Sequence, residues 1–455
     1  MFAAQARLCT FADHSYCLSL VSRLLLITAW YHPFIHPRAH RWTALAEYWA
    51  AQGHEVEVLT ARHRGCPEED LVNGVRVRRV GFDSLKEFFY YHAGSSRARG
   101  RVGRAVDAPG RFTRWITWLY RVFWKNIYFP DDAGIWYFPA KKKALRLLAG
   151  RPFDALITVS LPFTGHLIGL AARRHFPRLP WLADVGDPFS VQDHPLNNPL
   201  FYRHISRRLE RRVLENARAT TVTTDYTARR YTRFFGAAAT ARVHIIPPLL
   251  HPLPAPAPLP APAPLPVAQP VEVCRIGYFG ALYAPVRTPD AFLDLLEQTF
   301  TQLPGLRSRL EIHFYGEIFP EFYAPLSAQP AIRLHGLRTR AEVQTAMQQM
   351  DMLLNIGNQT DFQLPSKVVD YLAAGKPIVH LGYVEDDPFV TFLADLPWVL
   401  HLQAENGRVG MADQDRWRSW LEGGLPVVDE GLYRSRMAAY TVAQIAGRYR
   451  DLLGF

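Results

Sequence analysis

Between His251 and Pro270 nine of the twenty residues are proline, most of them alternating with Ala or Leu. Proline fixes φ and lacks a backbone N–H, so such a run is confined to extended polyproline geometry and cannot enter a helix interior or a central strand. At about 3.1 Å per residue it spans at most roughly 60 Å. The 455-residue chain is therefore expected to fold as two units joined by a linker, and each side is long enough for a core of its own.

Both sides carry one rhythm, an apolar strand, a loop, an amphipathic helix and another strand, which is the pattern of parallel α/β sheets. In the first half the strand Leu24 to Ala29 leads into the loop HPFIHPRAH, a helix from Trp42 to Gln52 ended by Gly53, and a strand over Glu55 to Thr60. The loop lies at the carboxyl edge of the expected sheet, where ligands bind in such folds. It holds His32, His36, Arg38, His40 and Arg41, which read as a polar cleft lining or as an ordinary exposed loop. Their spacing suits no metal, because no helical or hairpin period organises the histidines and no Cys or carboxylate joins them. Further on come the strand DALITVS, a helix from Gly165 to His175, the strand PWLADV and then GDPFS, so Asp184 and Asp187 close a strand at the same edge. Carboxylates there can orient sugar or acceptor hydroxyls, although a cap or an arginine partner would equally explain Asp187. His166, following the loop SLPFTG, could approach the cleft, but at a helix start it reads more readily as a cap or surface residue. The expected divisions are an extension over 1–21, a first domain over 22–250, the linker over 251–270, a second domain over 271–432 and a C-terminal helix over 433–455 packing back on the domains.

The net charge is +11, and the segment from Lys86 to Arg151 holds 14 Lys or Arg against four acids, or +10 of it. Basic character is thus a property of one surface. Phe112, Trp115, Leu119 and Phe123, at spacings of three and four among Arg111, Arg114, Arg121 and Lys125, make an amphipathic helix with a cationic flank. Such a helix suits an anionic lipid surface, and it equally fits a helix packed on the first domain with solvated arginines. Nucleic acid is disfavoured because no nucleic-acid module accompanies the charge. No leader or bilayer-spanning stretch is expected near the start, where the apolar run Leu18 to Trp30 is broken by Arg23. The four cysteines, Cys9, Cys17, Cys66 and Cys274, lack metal or redox spacing, which fits a reduced cytoplasmic protein.

The second half opens with VCRIGYFGALY, where Gly277 and Gly280 mark a strand-to-helix turn that lets backbone N–H groups approach a phosphate. Arg287 follows. After a helix from Arg340 to Met350 and the strand DMLLNIG comes FQLPSKVVDYLAAGKPIV, from Phe362 to Val379. Ser366 is a candidate N-cap, Gly375 sits where a left-handed residue ends the helix, and Pro377 blocks its continuation. A helix N-terminus beside the Lys367 charge favours an anion, and Asp370, a turn later, can accept hydrogen bonds from a ribose diol. The same residues also fit an amphipathic helix in which Ser caps, Lys is solvated and Asp pairs with an arginine. A last helix from Arg434 to Leu453 repeats Val442, Ile445, Tyr449 and Leu452 and must pack on something.

The order of these motifs, GHEVEVLT, PWLADVGDPF, IIPPL, YFGALY with Arg287 and then LPSKVVDYLAAGKPIV, resembles that of the GT-B glycosyltransferases, and within them the family-4 type, over roughly Leu24 to Phe455. The resemblance implies two Rossmann-like domains facing across a cleft, with the donor held by the second and the acceptor by the first. It implies that Gly280 and Ser366 meet the nucleotide diphosphate, that Arg287 and Lys367 neutralise it, that Asp370 takes the ribose, and that no metal or other cofactor is required. Arg287, Lys367 and Asp187 are the expected catalytic groups. Family members commonly carry two glutamates eight positions apart. Here Asp370 fills the second position with a shorter acid, the first falls on Phe362, and Asp361 stands one position away. The expected activity is hexosyl transfer from a nucleotide sugar to a lipid-linked or polysaccharide acceptor in cell-envelope glycan synthesis, at the inner membrane face. A sugar-nucleotide epimerase of the same fold and a non-catalytic nucleotide-binding scaffold are the alternatives.

Overall fold

The computed structural model describes residues 21–34, 36–85, 127–192, 197–250, 273–359, 364–365 and 367–455. Ser366, Asp361, Phe362, the proline-rich run and the helix expected over Phe112 to Phe123 lie outside the described residues.

The first sheet contains β1 (Arg23–Ile27), β2 (Glu55–Thr60), β3 (Glu69–Val72), β4 (Val75–Arg79), β5 (Ala155–Val159), β6 (Trp181–Asp184), β7 (Ala219–Val222) and β8 (Val243–Ile245), in the spatial order β3-β4-β2-β1-β5-β6-β7-β8. All neighbours pair in parallel except β3 with β4. That hairpin closes on Asn73 and Gly74, both at positive φ, as a tight two-residue turn requires. The central strands are apolar runs because helices cover both faces. Leu24 and Leu26 pack into one core with Trp42 and Leu45, while Leu25 and Ile27 pack into another with Trp136 and Ile168. The second sheet holds β9 (Cys274–Phe279), β10 (Leu310–Tyr315), β11 (Ile332–Gly336), β12 (Met352–Ile356), β13 (Ile378–Gly382), β14 (Val399–Glu405) and β15 (Arg408–Val409), ordered β11-β10-β9-β12-β13-β14-β15. Its order reverses at β9, whose neighbours are β10 and β12, so β9 marks the topological switch where α/β sheets bind ligands.

Five helices frame the site and its surroundings. The first, α1 (Pro37–Ala51), begins five residues before the expected Trp42, because the His36 side chain accepts from Arg38 N and Pro37 occupies the first turn. Two more belong to the first domain, α2 (Thr164–His175) and α3 (Pro199–Asn216). In the second, α4 (Lys367–Ala373) ends ahead of Gly375 at φ +61°. The final segment is two helices rather than the single one expected from Arg434. One spans Glu430–Ala438, and Thr441 then caps a new one, α5 (Val442–Leu453). Ile445, Tyr449 and Leu453 of α5 are buried against Trp42, Leu45 and Trp49, so the end of the chain completes the first domain's core.

Candidate active site

Asp184, at the end of β6, is the polar anchor of the first domain. Its carboxylate accepts from Arg38 Nη1 (2.8 Å) and Trp42 Nε1 (2.9 Å) of α1, from Thr221 Oγ1 (2.7 Å) of β7 and from the Tyr449 hydroxyl (2.7 Å) of α5. Arg41 donates to the same tyrosine (2.9 Å) and to the Pro247 carbonyl (2.8 Å), on the segment that follows β8. Burial alone would raise the Asp184 pKa, but Arg38, Arg41 and the hydrogen bonds outweigh it and hold the carboxyl below its ordinary value. A Cβ at Gly186 would overlap the Arg38 guanidinium, so glycine is what admits that arginine. Asp184 is therefore enclosed by the domain's own groups rather than aimed at a ligand.

Asp187, three residues on, is half-buried and lines the space between the domains with Arg38, Arg41 and His36. Its loop is stapled by Glu210 of α3, whose carboxylate accepts from Phe189 N (2.7 Å), Ser190 N (2.8 Å), Ser190 Oγ (2.5 Å) and the Tyr231 hydroxyl (2.7 Å). His166, expected at the surface, is fully buried in α2. Its Nδ1 lies 2.7 Å from Thr158 Oγ1, and burial drives its pKa down to about 3, so the ring is neutral and part of the core.

The opposite wall of the same space carries Arg287, Asn358, Leu364 and Pro365. Arg287 is 8% exposed. It donates from Nε (3.1 Å) and Nη2 (2.6 Å) to Asn358 Oδ1 and from Nη1 (3.1 Å) to the Ala281 carbonyl, while its backbone pairs both ways with Tyr283. Its guanidinium is thereby fixed by neutral groups, and its charge is left uncompensated by any ion pair among the described residues.

Lys367 stands beside it. Its Nζ is buried, finds no hydrogen-bond partner among the described residues, and sits 4.4 Å from the Tyr278 ring centroid and 5.4 Å from that of Tyr371. Burial, with Arg287 next, pushes its pKa well below the ordinary lysine value. Gly280 brings the two cations together, because a Cβ there would lie 3.2 Å from Lys367 Nζ and 3.5 Å from Arg287 Nη1. Tyr371 pins α4 to both strands at the switch, donating to the Leu354 carbonyl and accepting from Phe279 N, each at 2.9 Å.

Asp370, one turn after Lys367, accepts from Arg340 Nη2 at 2.8 Å. Burial raises its pKa, and Arg340 offsets part of that rise. The structure thus brings Gly280, Arg287 and Lys367 together at β9, places Asp370 on the same helix in an ion pair, and places Asp187 across the cleft. Sequence reasoning missed Asn358, Tyr278, Tyr371 and Arg340. The position of Asn358 just past the apolar run Met352–Ile356, at a strand's carboxyl end, is the signal that could have found it.

The model of the glycosyl transferase 4-like domain matches residues 39–248. No curated protein sequence matches the chain. Among solved structures the chain is similar to sucrose-phosphate synthase from Thermosynechococcus elongatus, with a TM-score of 0.59 and 13% identity, covering 95% of this chain and 99% of that one. An α,α-trehalose 6-phosphate synthase from Burkholderia multivorans gives 0.60 and 12%, covering 95% and 98%. Anabaena HepE in complex with UDP-glucose gives 0.55 and 10%, covering 95% and 99%. With two largely parallel α/β sheets facing across a cleft, and residues 39–248 within the first domain matching the glycosyl transferase 4-like domain, the chain has the GT-B glycosyltransferase fold.

Proposed function

We propose that the protein transfers a hexose from a nucleotide-diphosphate donor to a lipid-linked or polysaccharide acceptor of the cell envelope, at the cytoplasmic face of the membrane. The observation that carries this reading is the pair of buried cations, Arg287 and Lys367, which form no ion pair among the described residues and converge over Gly280 at the switch of the second sheet. Two desolvated positive charges beside each other are unfavourable without an anion, and a diphosphate supplies one. As the glycosidic bond breaks, negative charge grows on the departing nucleoside diphosphate, where these fixed donors stabilise it most. No metal or other cofactor is needed for that neutralisation. Ser366, beside Lys367 in sequence, is assigned to the same diphosphate.

On the acceptor side Asp187 is assigned to orient, or take the proton from, the attacking hydroxyl. Asp370 is assigned to the ribose, which would compete with Arg340 for its carboxylate. The similarity to a protein solved with UDP-glucose makes a uridine donor the first to test. The basic segment 86–151 is assigned to the anionic membrane surface, and nucleic acid is not assigned as a partner. Among the described residues no helix is long and apolar enough to cross a membrane.

Incubation with labelled UDP-hexoses and an envelope lipid extract is expected to move label into the lipid fraction. Arg287→Ala should abolish both transfer and the donor-induced rise in melting temperature. Asp187→Asn should abolish transfer while leaving that rise intact. Release of an epimerised nucleotide sugar without acceptor would favour the epimerase reading instead, and absence of any nucleotide-induced shift would favour the non-catalytic one.

Diphosphate binding should also take up protons. The Lys367 pKa is depressed in the free protein, and an adjacent diphosphate raises it by favouring the ammonium. Between the free and bound pKa values, affinity for the nucleoside diphosphate should therefore fall as pH rises. Titration calorimetry in buffers of different ionisation enthalpy reads this uptake directly, and identical heats across buffers would refute it.

A further inference from the structure

We infer that the outward face of α3 is a docking surface for an anionic membrane, distinct from segment 86–151 and independent of the transfer chemistry. The helix is anchored from below: Ser206, Glu210, Val213 and Leu214 are buried, and Glu210 is saturated by the four donors described above. Its other face is thus held permanently outward. That face begins with Leu200, Phe201 and Ile205, which are 87%, 68% and 51% exposed. One or two turns further along it carries Arg208 and Arg211, with Arg207 at its edge, all exposed.

At 100° per residue, Leu200, Phe201, Ile205, Arg208 and Arg211 fall on the half of the helix opposite Ser206 and Glu210, with Arg207 at its edge. Leu200 and Arg208 are separated by about 12 Å along the axis. This arrangement is an apolar tip with a cationic collar, segregated along the helix as well as around it. Interfacial helices bury their apolar side chains about 5–10 Å deep, so the tip would enter the acyl boundary with the arginines at phosphate level. The only exposed carboxylate on the helix, Glu215, lies in the last turn and is paired with Arg211 at 2.8 Å. Nothing on the helix opposes an anionic partner over its first three turns.

The surface broadens on both sides. The Tyr202 hydroxyl donates to the Ile127 carbonyl at 2.9 Å, which sets the 57% exposed Ile127 beside the tip. Arg207 stacks 5.3 Å from the ring of Phe234, itself 42% exposed. A second copy of the chain fits this face less well, because a two-fold contact would set one arginine collar against the other.

The test uses the full chain in flotation with vesicles of phosphatidylcholine alone or with added phosphatidylglycerol. Binding is expected to the anionic vesicles, weakened by Leu200→Ser with Phe201→Ser, and weakened more than about tenfold by Arg208→Glu with Arg211→Glu. Unchanged melting temperature in both double variants excludes misfolding as the cause. Equal binding to neutral vesicles would overturn the inference. So would full binding by both variants while reversal at Arg111, Arg114 and Arg121 removes it, or a light-scattering mass that drops from dimer to monomer in the Leu200 and Phe201 variant.

Discussion

Lys367→Met is expected to make the protein more stable and to remove its use of the donor. The ammonium is buried, has no hydrogen-bond partner among the described residues, and faces Arg287 across Gly280. In the unfolded chain the amine carries its proton at neutral pH, so folding must either release that proton or bury the charge. Either route costs free energy, and methionine follows neither while filling similar volume over Tyr278 and Tyr371. Relief of one unsatisfied buried polar group is worth about 1–3 kcal/mol, which should appear as a higher urea midpoint or melting temperature. Loss of one fixed cation at the leaving group should lower turnover by about 10²–10³-fold. A variant that is less stable and fully active would show that Lys367 is an ordinary structural lysine. Greater stability at a functional cost is the pattern expected where a site is built unstrained only with its ligand bound.

Asp184→Ala is expected to be the most damaging single change in the first domain. The carboxylate receives donors from α1, β7 and α5, so its removal strands three hydroxyl or indole donors in the interior and leaves Arg38, on the cleft wall, without its ion-pair partner. Breaking a buried, paired charge costs about 3–5 kcal/mol. Asp184→Asn keeps the shape and loses only the charge, and its cost should depend on pH in a definite sense. The folded-state pKa is depressed below the unfolded value, so the carboxylate's contribution is complete above the unfolded pKa, about 3.9, and is lost as pH falls through the folded one. Urea midpoints of the two proteins should therefore differ at neutral pH and converge in acid. A gap that stays constant from neutral to strongly acid pH would mean that Asp184 is not ionised in the native state.

This pair of positions shows where sequence reasoning stopped. Asp184 and Asp187 read alike in PWLADVGDPFS, two carboxylates at the end of a buried strand. The fold gives them different work, because Tyr449, 265 residues away, reaches Asp184 and closes it off, whereas Asp187 lies on the cleft. His166 was misread for a related reason. Its partner Thr158 is on the neighbouring strand and the ring is covered completely, which no local pattern announces.

Hydrophobic period and punctuation determined most of the architecture. Apolar runs too short for helices, amphipathic stretches ended by Gly53 and Gly375, and a proline run able to join neither sheet left a two-domain parallel α/β chain as the consistent solution, and the order of its motifs pointed to the GT-B fold. The same reading singled out Arg287 and Lys367 by their place after sheet strands. Only the tertiary structure decided that Asn358 and the Ala281 carbonyl fix the arginine, that Lys367 is enclosed by Tyr278 and Tyr371 with no partner among the described residues, that Arg340 takes Asp370, and that the last helix belongs to the first domain. The physical reason is that secondary structure follows from interactions within a few residues, which composition and spacing record. The charge state and orientation of a buried side chain follow instead from desolvation and from partners brought in by other strands and helices, and those are set only when the sheets assemble.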